Sequence, residues 1–239
     1  MNMRVDKLLA NMGYGSRKDV KKLLKGGGVH IDGQAVKDGK QHIDPKKQVV
    51  TVYGEFVEYK PFVYLMMNKP AGVISATEDD RHRTVIDLLL DEHVMYGPFP
   101  VGRLDKDTTG LLLLTNDGQF SHALMSPRRH VPKTYEAEVI GEVNEHDVEM
   151  FEKGVVLDDG YVTKPAVLII LEQGPLSLIR LTITEGKFHQ VKRMFEAVEK
   201  KVKTLKRIKV GELPLDPNLK LGEYRELSEE EYQLFQTKS

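Results

Sequence analysis

The sequence contains no cysteine among its 239 residues. This absence excludes a disulfide framework, a thiolate nucleophile and a zinc site built from thiolates. The eight histidines are scattered, and none has the spacing that places two metal ligands on one helix face, so we expect no metal. Long hydrophobic runs are also missing. The longest, 62–67 and 166–171, are far shorter than the ~20 residues of a membrane-spanning helix.

Residues 1–6 are charged and lack the apolar stretch of a signal peptide. We therefore expect a cytoplasmic protein without a membrane partner. The hydrophobic fraction of 40% and the charged fraction of 30% are ordinary for a chain with a packed core. The length fits one small domain and one mid-sized domain better than a single domain.

Charge is distributed unevenly along the chain. Residues 1–60 carry a net charge of +5, and the remainder carries −6, within an overall charge of −1. A small basic domain is typical of proteins that bind polyanions, because neutralisation of phosphates dominates affinity for nucleic acids. A run of charge is equally often only a solvated surface, so composition alone leaves both interpretations open.

The pattern of the first 50 residues is helix, helix, small sheet. Apolar spacing predicts a helix over 4–11, and a second helix begins after the N-cap Ser16. Short strands are predicted at 29–31 and 48–52. The second helix has one apolar face and an opposite face of cations: Arg17, Lys18, Lys21, Lys22 and Lys25. This order, with "MRVDKLLANMGYGSRKDVKKLLKGGGVHIDGQAV", resembles the S4 RNA-binding domain, with its αL-like arrangement, over nearly all of residues 3–50.

A composition shift near Pro61 predicts a linker between a domain of residues 1–59 and a second domain of residues 62–239. The second domain shows strand patterns at 63–68, 110–115, 134–140, 166–171 and 176–184, and helical patterns at 84–90, 145–153 and 189–198. Strands followed by turns outnumber strand–helix–strand units. We therefore expect an α+β fold in which a mixed, mainly antiparallel sheet is flanked by helices.

The most informative segment is "GRLDKDTTGLLLLTNDG", residues 102–118. It places a carboxylate between turn residues and a strand, where a rigid element can present an active-site loop. Spacing alone favours the interpretation that Asp105 or Asp107 only caps backbone amides in a turn. The segment closely resembles the central motif of the pseudouridine synthase family, in the branch that contains the small-subunit rRNA enzymes. The resemblance implies that Asp105 is the catalytic carboxylate.

Two further segments resemble the same family. In "KTYEAEV", residues 133–139, Tyr135 matches the active-site tyrosine. In "LTITEGKFHQVKRMF", residues 181–195, Lys192 matches the basic residue that pairs with the aspartate, and Ile183 matches the apolar floor of the pocket. Many relatives have arginine at the position of Lys192, so a bidentate clamp is replaced here by a point charge. Taken singly, each of these residues fits an ordinary packing or surface role; it is their joint order that matches the family.

The reaction implied by the resemblance breaks the C1′–N1 bond of uridine and rejoins the base through C5, which requires no cofactor. Asp105 would act as a nucleophile or base, and Tyr135 would stack on the uracil. A stacked uridine must be everted first, and contacts to RNA would supply that energy. The candidate substrate-binding residues in the second domain are Arg103, which would fill the vacated stack, and Arg128, Arg129 and His189. Those in the first domain are Arg4, Arg17, Lys18, Lys21 and Lys22.

The segments "TKPAVL" and "HQVKRMF" resemble the small-subunit branch most closely. The implied substrate is therefore uridine 516 of 16S rRNA, either free or in a ribosomal assembly intermediate, with the enzyme acting as a monomer in rRNA processing. Three alternatives remain: an enzyme for 23S rRNA, a non-catalytic S4 protein of ribosome biogenesis, and a glycoside hydrolase that pairs Asp105 with Asp107. A basic module gives the last of these no benefit.

Overall fold

The computed structural model describes residues 2–126 and 129–236. The chain forms two compact units, one comprising Met1–Val63 with Leu90–Gly97 and the other comprising Tyr64–Leu89 with Pro98–Ser239. The domain ranges 1–59 and 62–239 remain predictions, and they differ from these units mainly in the segment Leu90–Gly97. Within the described residues, no helix combines the length and the apolar character that crossing a membrane requires.

The N-terminal unit is built from three short helices and six short strands. They are β1 (Met3–Arg4), α1 (Val5–Asn11), α2 (Arg17–Lys25), β2 (Val29–Ile31), β3 (Gln34–Ala35), β4 (His42–Ile43), β5 (Val50–Val52), β6 (Glu55–Phe56) and α3 (Asp91–Val94). Strands β3, β2, β5 and β6 form one antiparallel sheet in that order, and β1 pairs with β4. The apolar faces of α1 and α2 contribute Leu8, Leu9, Val20 and Leu24 to the core of this unit.

Helix α2 begins where the sequence predicts. The hydroxyl of Ser16 accepts a hydrogen bond from the backbone N–H of Asp19, and the Asp19 carboxylate accepts one from the backbone N–H of Ser16. This reciprocal capping satisfies amide donors that the first turn of a helix leaves unpaired. Because Val20 and Leu24 face the core, the cationic side chains of α2 are held in solvent.

The second unit is organised around a nine-stranded sheet. Its strands are β7 (Tyr64–Lys69), β8 (Phe99–Pro100), β9 (Thr109–Thr115), β10 (Lys133–Ile140), β11 (Val167–Glu172), β12 (Leu176–Ile183), β13 (Lys201–Val210), β14 (Leu213–Pro214) and β15 (Tyr224–Glu226). Its helices are α4 (Gly118–Met125), α5 (Glu145–Lys153), α6 (Gln190–Glu196) and α7 (Glu229–Gln233). The main path is β11-β12-β10-β13-β9-β7-β15, with β8 on β9 and β14 on β13.

The strands pair antiparallel except at the centre, where β13 runs parallel to β9. The prediction of a mixed, mainly antiparallel sheet flanked by helices is therefore confirmed. Residues 111–114 of β9 are all buried, as expected for a central strand covered on both faces. Strand β10 instead alternates, with Tyr135, Ala137 and Val139 buried and the residues between them more exposed.

Among the elements that differ from the sequence prediction, three are informative. The predicted helix at 84–90 is only a 3-10 turn at Ile86–Leu88, because the backbone is already extended at Leu89, where ψ is 150°. Strand β13 was not predicted, since five of its ten residues are lysine or arginine and hide the apolar alternation. Helix α4 was also missed. Its N-cap Asp117, which accepts from two backbone amides, is the next-to-last residue of the 102–118 segment, for which only turn residues and a strand were predicted.

Candidate active site

Asp105 lies in a tight turn that immediately precedes β9. The backbone N–H of Thr108 donates to the carbonyl of Asp105 at 3.1 Å. On the other side, the buried Leu104 exchanges two hydrogen bonds with the hydroxyl of Ser75, which accepts from its N–H and donates to its carbonyl, both at 3.0 Å. The backbone of Asp105 is thus fixed on both sides, while its side chain keeps about 31% of its surface exposed. This combination presents a carboxylate to a ligand from a rigid loop.

A buried lysine holds the same turn from below. Lys69, at the end of β7, is fully buried, and its Nζ donates to the carbonyls of Pro70 at 3.0 Å, Asp105 at 3.1 Å and Thr108 at 2.9 Å. Burial lowers the pKa of Lys69 from 10.5 to about 8. This residue was not predicted to belong to the site. Its only signal is a charged side chain at the end of an otherwise apolar strand.

One cleft brings together most of the residues that the sequence singles out. It has a volume of about 80 Å³ and is lined by Arg103, Asp105, Tyr135, Ile183, His189 and Lys192, together with Thr108, Lys187 and Leu205. Pairing of β10 with β12 places Tyr135 opposite Leu181 and brings Ile183 to the same end of the sheet. The Tyr135 ring is 8% exposed, so the cleft has an aromatic wall.

Lys192 connects two carboxylates, and it is closer to the one that was not predicted. Its Nζ lies 2.7 Å from both carboxylate oxygens of Asp107 but 3.9 Å from Oδ2 of Asp105. The hydrogen bond from Lys192 lowers the pKa of Asp107 below its usual value. The predicted pairing of Lys192 with Asp105 is therefore present only as a long ion pair, because Asp107 takes the direct hydrogen bonds.

His189 approaches Asp105 from the other side of the cleft. Its Nε2 lies 3.7 Å from Oδ1 of Asp105. The backbone of His189 is left-handed, with φ of 49°, immediately before the first residue of α6. Such backbone is uncommon for a residue other than glycine and is concentrated at functional sites.

Comparison with known proteins agrees with this arrangement. The sequence family described as "RNA pseudouridylate synthase" matches residues 63–197, and the S4 domain family matches residues 3–49. This chain belongs to the RNA pseudouridylate synthase family. Its enzymatic class is therefore that of a pseudouridine synthase.

Individual relatives cover nearly the whole chain. "Uncharacterized RNA pseudouridine synthase YtzG" of Bacillus subtilis is 58% identical over 233 residues, which are 97% of this chain and 98% of the relative. "Ribosomal small subunit pseudouridine synthase A" of Escherichia coli K12 is 41% identical over 96% of this chain and 98% of the relative. A solved structure described as "Crystal structure of pseudouridylate synthase" aligns with a TM-score of 0.69 and 36% identity, covering 98% of this chain and 99% of that one.

In this pseudouridine synthase, the remaining predicted RNA contacts are distributed over several surfaces. Arg103 is exposed and lines the cleft. Arg129 instead borders a different cavity of about 500 Å³ beside Phe120 and Tyr232, and Arg128 lies outside the described residues. In the N-terminal unit, the four predicted contacts on α2 are exposed, and Arg4 is ion-paired with Asp6.

The cleft wall also contains a polar group without a partner. The hydroxyl of Thr108 is buried, and among the described residues it has no hydrogen-bond partner. A buried polar group that lacks a partner is costly unless a ligand or water satisfies it. The sequence analysis treated Thr108 only as part of the motif.

Proposed function

We propose that this enzyme isomerises one uridine of 16S rRNA to pseudouridine, with Asp105 as the catalytic carboxylate. The observation that carries the proposal is the meeting of Asp105, Tyr135, Ile183 and Lys192 in one cleft of a pseudouridine synthase fold. The small-subunit substrate is supported by relatives at 40–42% identity named "Ribosomal small subunit pseudouridine synthase A". We further propose uridine 516 as the target and a cytoplasmic monomer as the active form, in ribosome biogenesis.

The reaction requires the protein mainly to position the uridine beside one carboxylate. The C1′–N1 bond breaks, the freed uracil turns within the pocket, and a bond forms between C1′ and C5. C5 then loses its proton and N1 takes one up, so no outside group is transferred. Asp105 serves this sequence either by attacking the sugar or by acting as a base beside it. Its fixed backbone and partly exposed carboxylate meet the geometric requirement for both routes.

The walls of the cleft supply the other roles. Tyr135 offers an aromatic face for the uracil, and Ile183 offers an apolar surface beside it. These contacts would keep the detached base from escaping. The Lys192 ammonium, 3.9 Å from Oδ2 of Asp105, places positive charge beside the carboxylate.

The target must leave its stack to reach this pocket, and everting a base costs a few kcal/mol. Arg103, exposed at the cleft, is suited to occupy the gap in the RNA stack. The exposed cations of α2 are suited to bind phosphates, which contributes affinity independent of sequence. Free 16S rRNA and an assembly intermediate both fit this division of roles.

Incubation of the purified protein with unmodified 16S rRNA, 23S rRNA and a small-subunit assembly intermediate tests the proposal. Pseudouridine is then mapped by chemical derivatisation and primer extension. We expect one new pseudouridine in 16S rRNA, with retention of the uracil and no dependence on an added cofactor. Modification of 23S rRNA alone would assign a different substrate. Binding without isomerisation would assign a non-catalytic role, and release of uracil would indicate a hydrolase.

A further inference from the structure

Phe188 exposes a large aromatic ring at the rim of the cleft. The residue is 72% exposed, and its ring is stacked on that of His189 with a centroid distance of 3.8 Å and an interplanar angle of 18°. His189 in turn approaches Asp105, with Nε2 3.7 Å from Oδ1. An aromatic face therefore lies in solvent only one side chain away from the proposed catalytic carboxylate.

The loop that carries this pair is firmly held. The side chain of Gln190 accepts from the backbone N–H of Lys187 at 2.8 Å and donates to Glu185 at 2.7 Å. Glu185 also accepts from the hydroxyl of Tyr161 at 2.7 Å. The exposure of Phe188 is therefore a product of a fixed backbone conformation, which includes the left-handed φ at the next residue.

Two cationic side chains belong to the cleft beside this loop. Lys187 and Arg103 both line the cleft, and the Nζ of Lys187 lies 4.5 Å from the centre of the Tyr161 ring. Surfaces that bind unpaired nucleic acid combine aromatic faces for bases with cations for the backbone. The loop of Lys187, Phe188 and His189 supplies an aromatic face and one cation, and Arg103 supplies a second cation to the same cleft.

We propose that the Phe188–His189 stack is a platform for the base of a nucleotide adjacent to the target uridine. The inference rests on the proposed function, since it assumes that the everted uridine occupies the cleft. Tyr135, 8% exposed inside the cleft, is placed for the target base, whereas Phe188 is too exposed to enclose one. Eversion of the target leaves the neighbouring bases without a stacking partner on one side. Arg103 can fill the gap beside one neighbour, and the flat aromatic face at the rim offers a stacking surface to the other.

A single tryptophan reports on this contact directly. The natural sequence has no tryptophan, so Phe188→Trp introduces a unique fluorophore at the platform. The probe is an RNA hairpin taken from 16S rRNA with the proposed target in its loop, and two further hairpins carry an abasic ribose on one or the other side of that uridine. We expect strong quenching by the intact hairpin and loss of most quenching with one of the two abasic hairpins.

Ile140→Trp provides the matched control. Ile140 is 49% exposed and lies five residues along β10 from Tyr135, on the opposite face of the sheet. We expect no quenching of this tryptophan. Equal quenching of the Phe188→Trp and Ile140→Trp variants would overturn the proposal. Quenching of Phe188→Trp that is the same with the intact hairpin and with both abasic hairpins would also overturn it.

Affinity and turnover supply an independent measurement. Phe188→Ala should raise KM for the intact hairpin about tenfold with kcat within a few fold, since a base–aromatic stack contributes to binding. The same substitution should change little with the abasic hairpin that already lacks the stacked base. Additive losses from the two changes would overturn the platform. Failure of the wild-type protein to isomerise any rRNA would instead refute the proposed function, and quenching measured in Asp105→Asn with Phe188→Trp would still test the platform.

Discussion

The cationic face of α2 and the charged cleft of the second unit hold their charges in opposite ways. The α2 side chains extend into solvent, and Lys22 comes only within 3.9 Å of its neighbour Asp19. In the cleft, Lys192 contacts two carboxylates. Behind it, the buried Nζ of Lys69 donates hydrogen bonds to three carbonyls at 3.1 Å or less. Loosely held charge attracts phosphates over a distance and is screened by salt, whereas fixed charge can orient reacting atoms. Affinity and chemistry should therefore respond to different substitutions.

The largest difference between the effect on chemistry and the effect on RNA affinity is expected from Asp105→Asn. The amide nearly preserves the shape of the side chain but removes the carboxylate that the proposed mechanism requires. We expect kcat to fall by on the order of a thousandfold or more, with the Kd for 16S rRNA within a few fold. Single-turnover assays and filter binding on the same preparations measure the two quantities. Turnover close to that of the wild type would remove Asp105 from the proposed role.

Lys69→Met should reduce turnover next most severely. Methionine fills the volume but cannot donate to the carbonyls of Pro70, Asp105 and Thr108. The turn would then shift, and a displacement of about 1 Å at a reacting group can reduce the rate about a hundredfold. We expect that loss in kcat with RNA affinity unchanged. A kcat near that of the wild type would show that the backbone of the turn is held without the ammonium.

The pH dependence of stability checks whether Lys69 titrates as its burial implies. Above about pH 8 the folded chain has lost the proton of Lys69, whereas the unfolded chain keeps it up to its ordinary pKa of 10.5. Unfolding between these values takes up a proton, so the contribution of Lys69 to the free energy of unfolding increases with pH. Urea denaturation of the wild type and Lys69→Met should show a difference that grows from pH 8 to 10.5. A constant difference would contradict the lowered pKa.

The sequence predicts those parts of this structure whose cause is local. The bounds of α5, Glu145–Lys153, match the prediction because Asn144 and Asp147 cap each other within the same turn. Strand β13 lacks such a local signal, and its place beside β9 is set by tertiary pairing. The motif residues of the cleft were found by resemblance to a family. Spacing alone favoured a turn cap at Asp105.

The missed features of the site depend on contacts between distant segments. Lys69 meets the turn that contains Asp105 because β7 pairs with β9 in a register that places it opposite Gly110. A Cβ at Gly110, where φ is 99°, would lie 2.2 Å from the carbonyl oxygen of Arg207, so glycine permits the approach of β13 as well. The preference of Lys192 for Asp107 likewise depends on the position of α6 relative to the turn that contains Asp105 and Asp107. Neither arrangement can be read from sequence spacing.

Neutralising the α2 face should affect affinity and leave chemistry unchanged. In a variant with Arg17, Lys18, Lys21 and Lys22 replaced by glutamine, we expect the Kd for 16S rRNA to rise about tenfold to a hundredfold near physiological salt. Each phosphate contact contributes roughly 0.9 to the slope of log K against log salt concentration, so the slope should flatten by up to about 3 to 4. Single-turnover kcat at saturating enzyme should remain within twofold.

A matched variant makes that test specific. Replacing Lys201, Lys203, Lys206 and Lys209 of β13 by glutamine removes the same number of positive charges from the second unit. Two of these lysines are already in ion pairs, Lys203 with Glu138 and Lys209 with Glu212. We expect a smaller change of slope, because the two charges already paired with carboxylates release fewer counterions on binding. Equal slopes for the two variants would indicate general attraction with no special role for α2.

The smallest effect is expected from Asp107→Asn, although Asp107 forms the shortest ion pair in the cleft. Its side chain is 69% exposed, and the Lys192 hydrogen bond that lowers its pKa keeps it ionised at neutral pH. Exposed ion pairs contribute little energy, and in the variant the Lys192 ammonium can move toward Asp105, now 3.9 Å away. We expect kcat to change less than about threefold, measured beside Asp105→Asn. A loss as large as that of Asp105→Asn would mean that the reaction needs both carboxylates, which is the arrangement of a glycoside hydrolase and not of the mechanism proposed here.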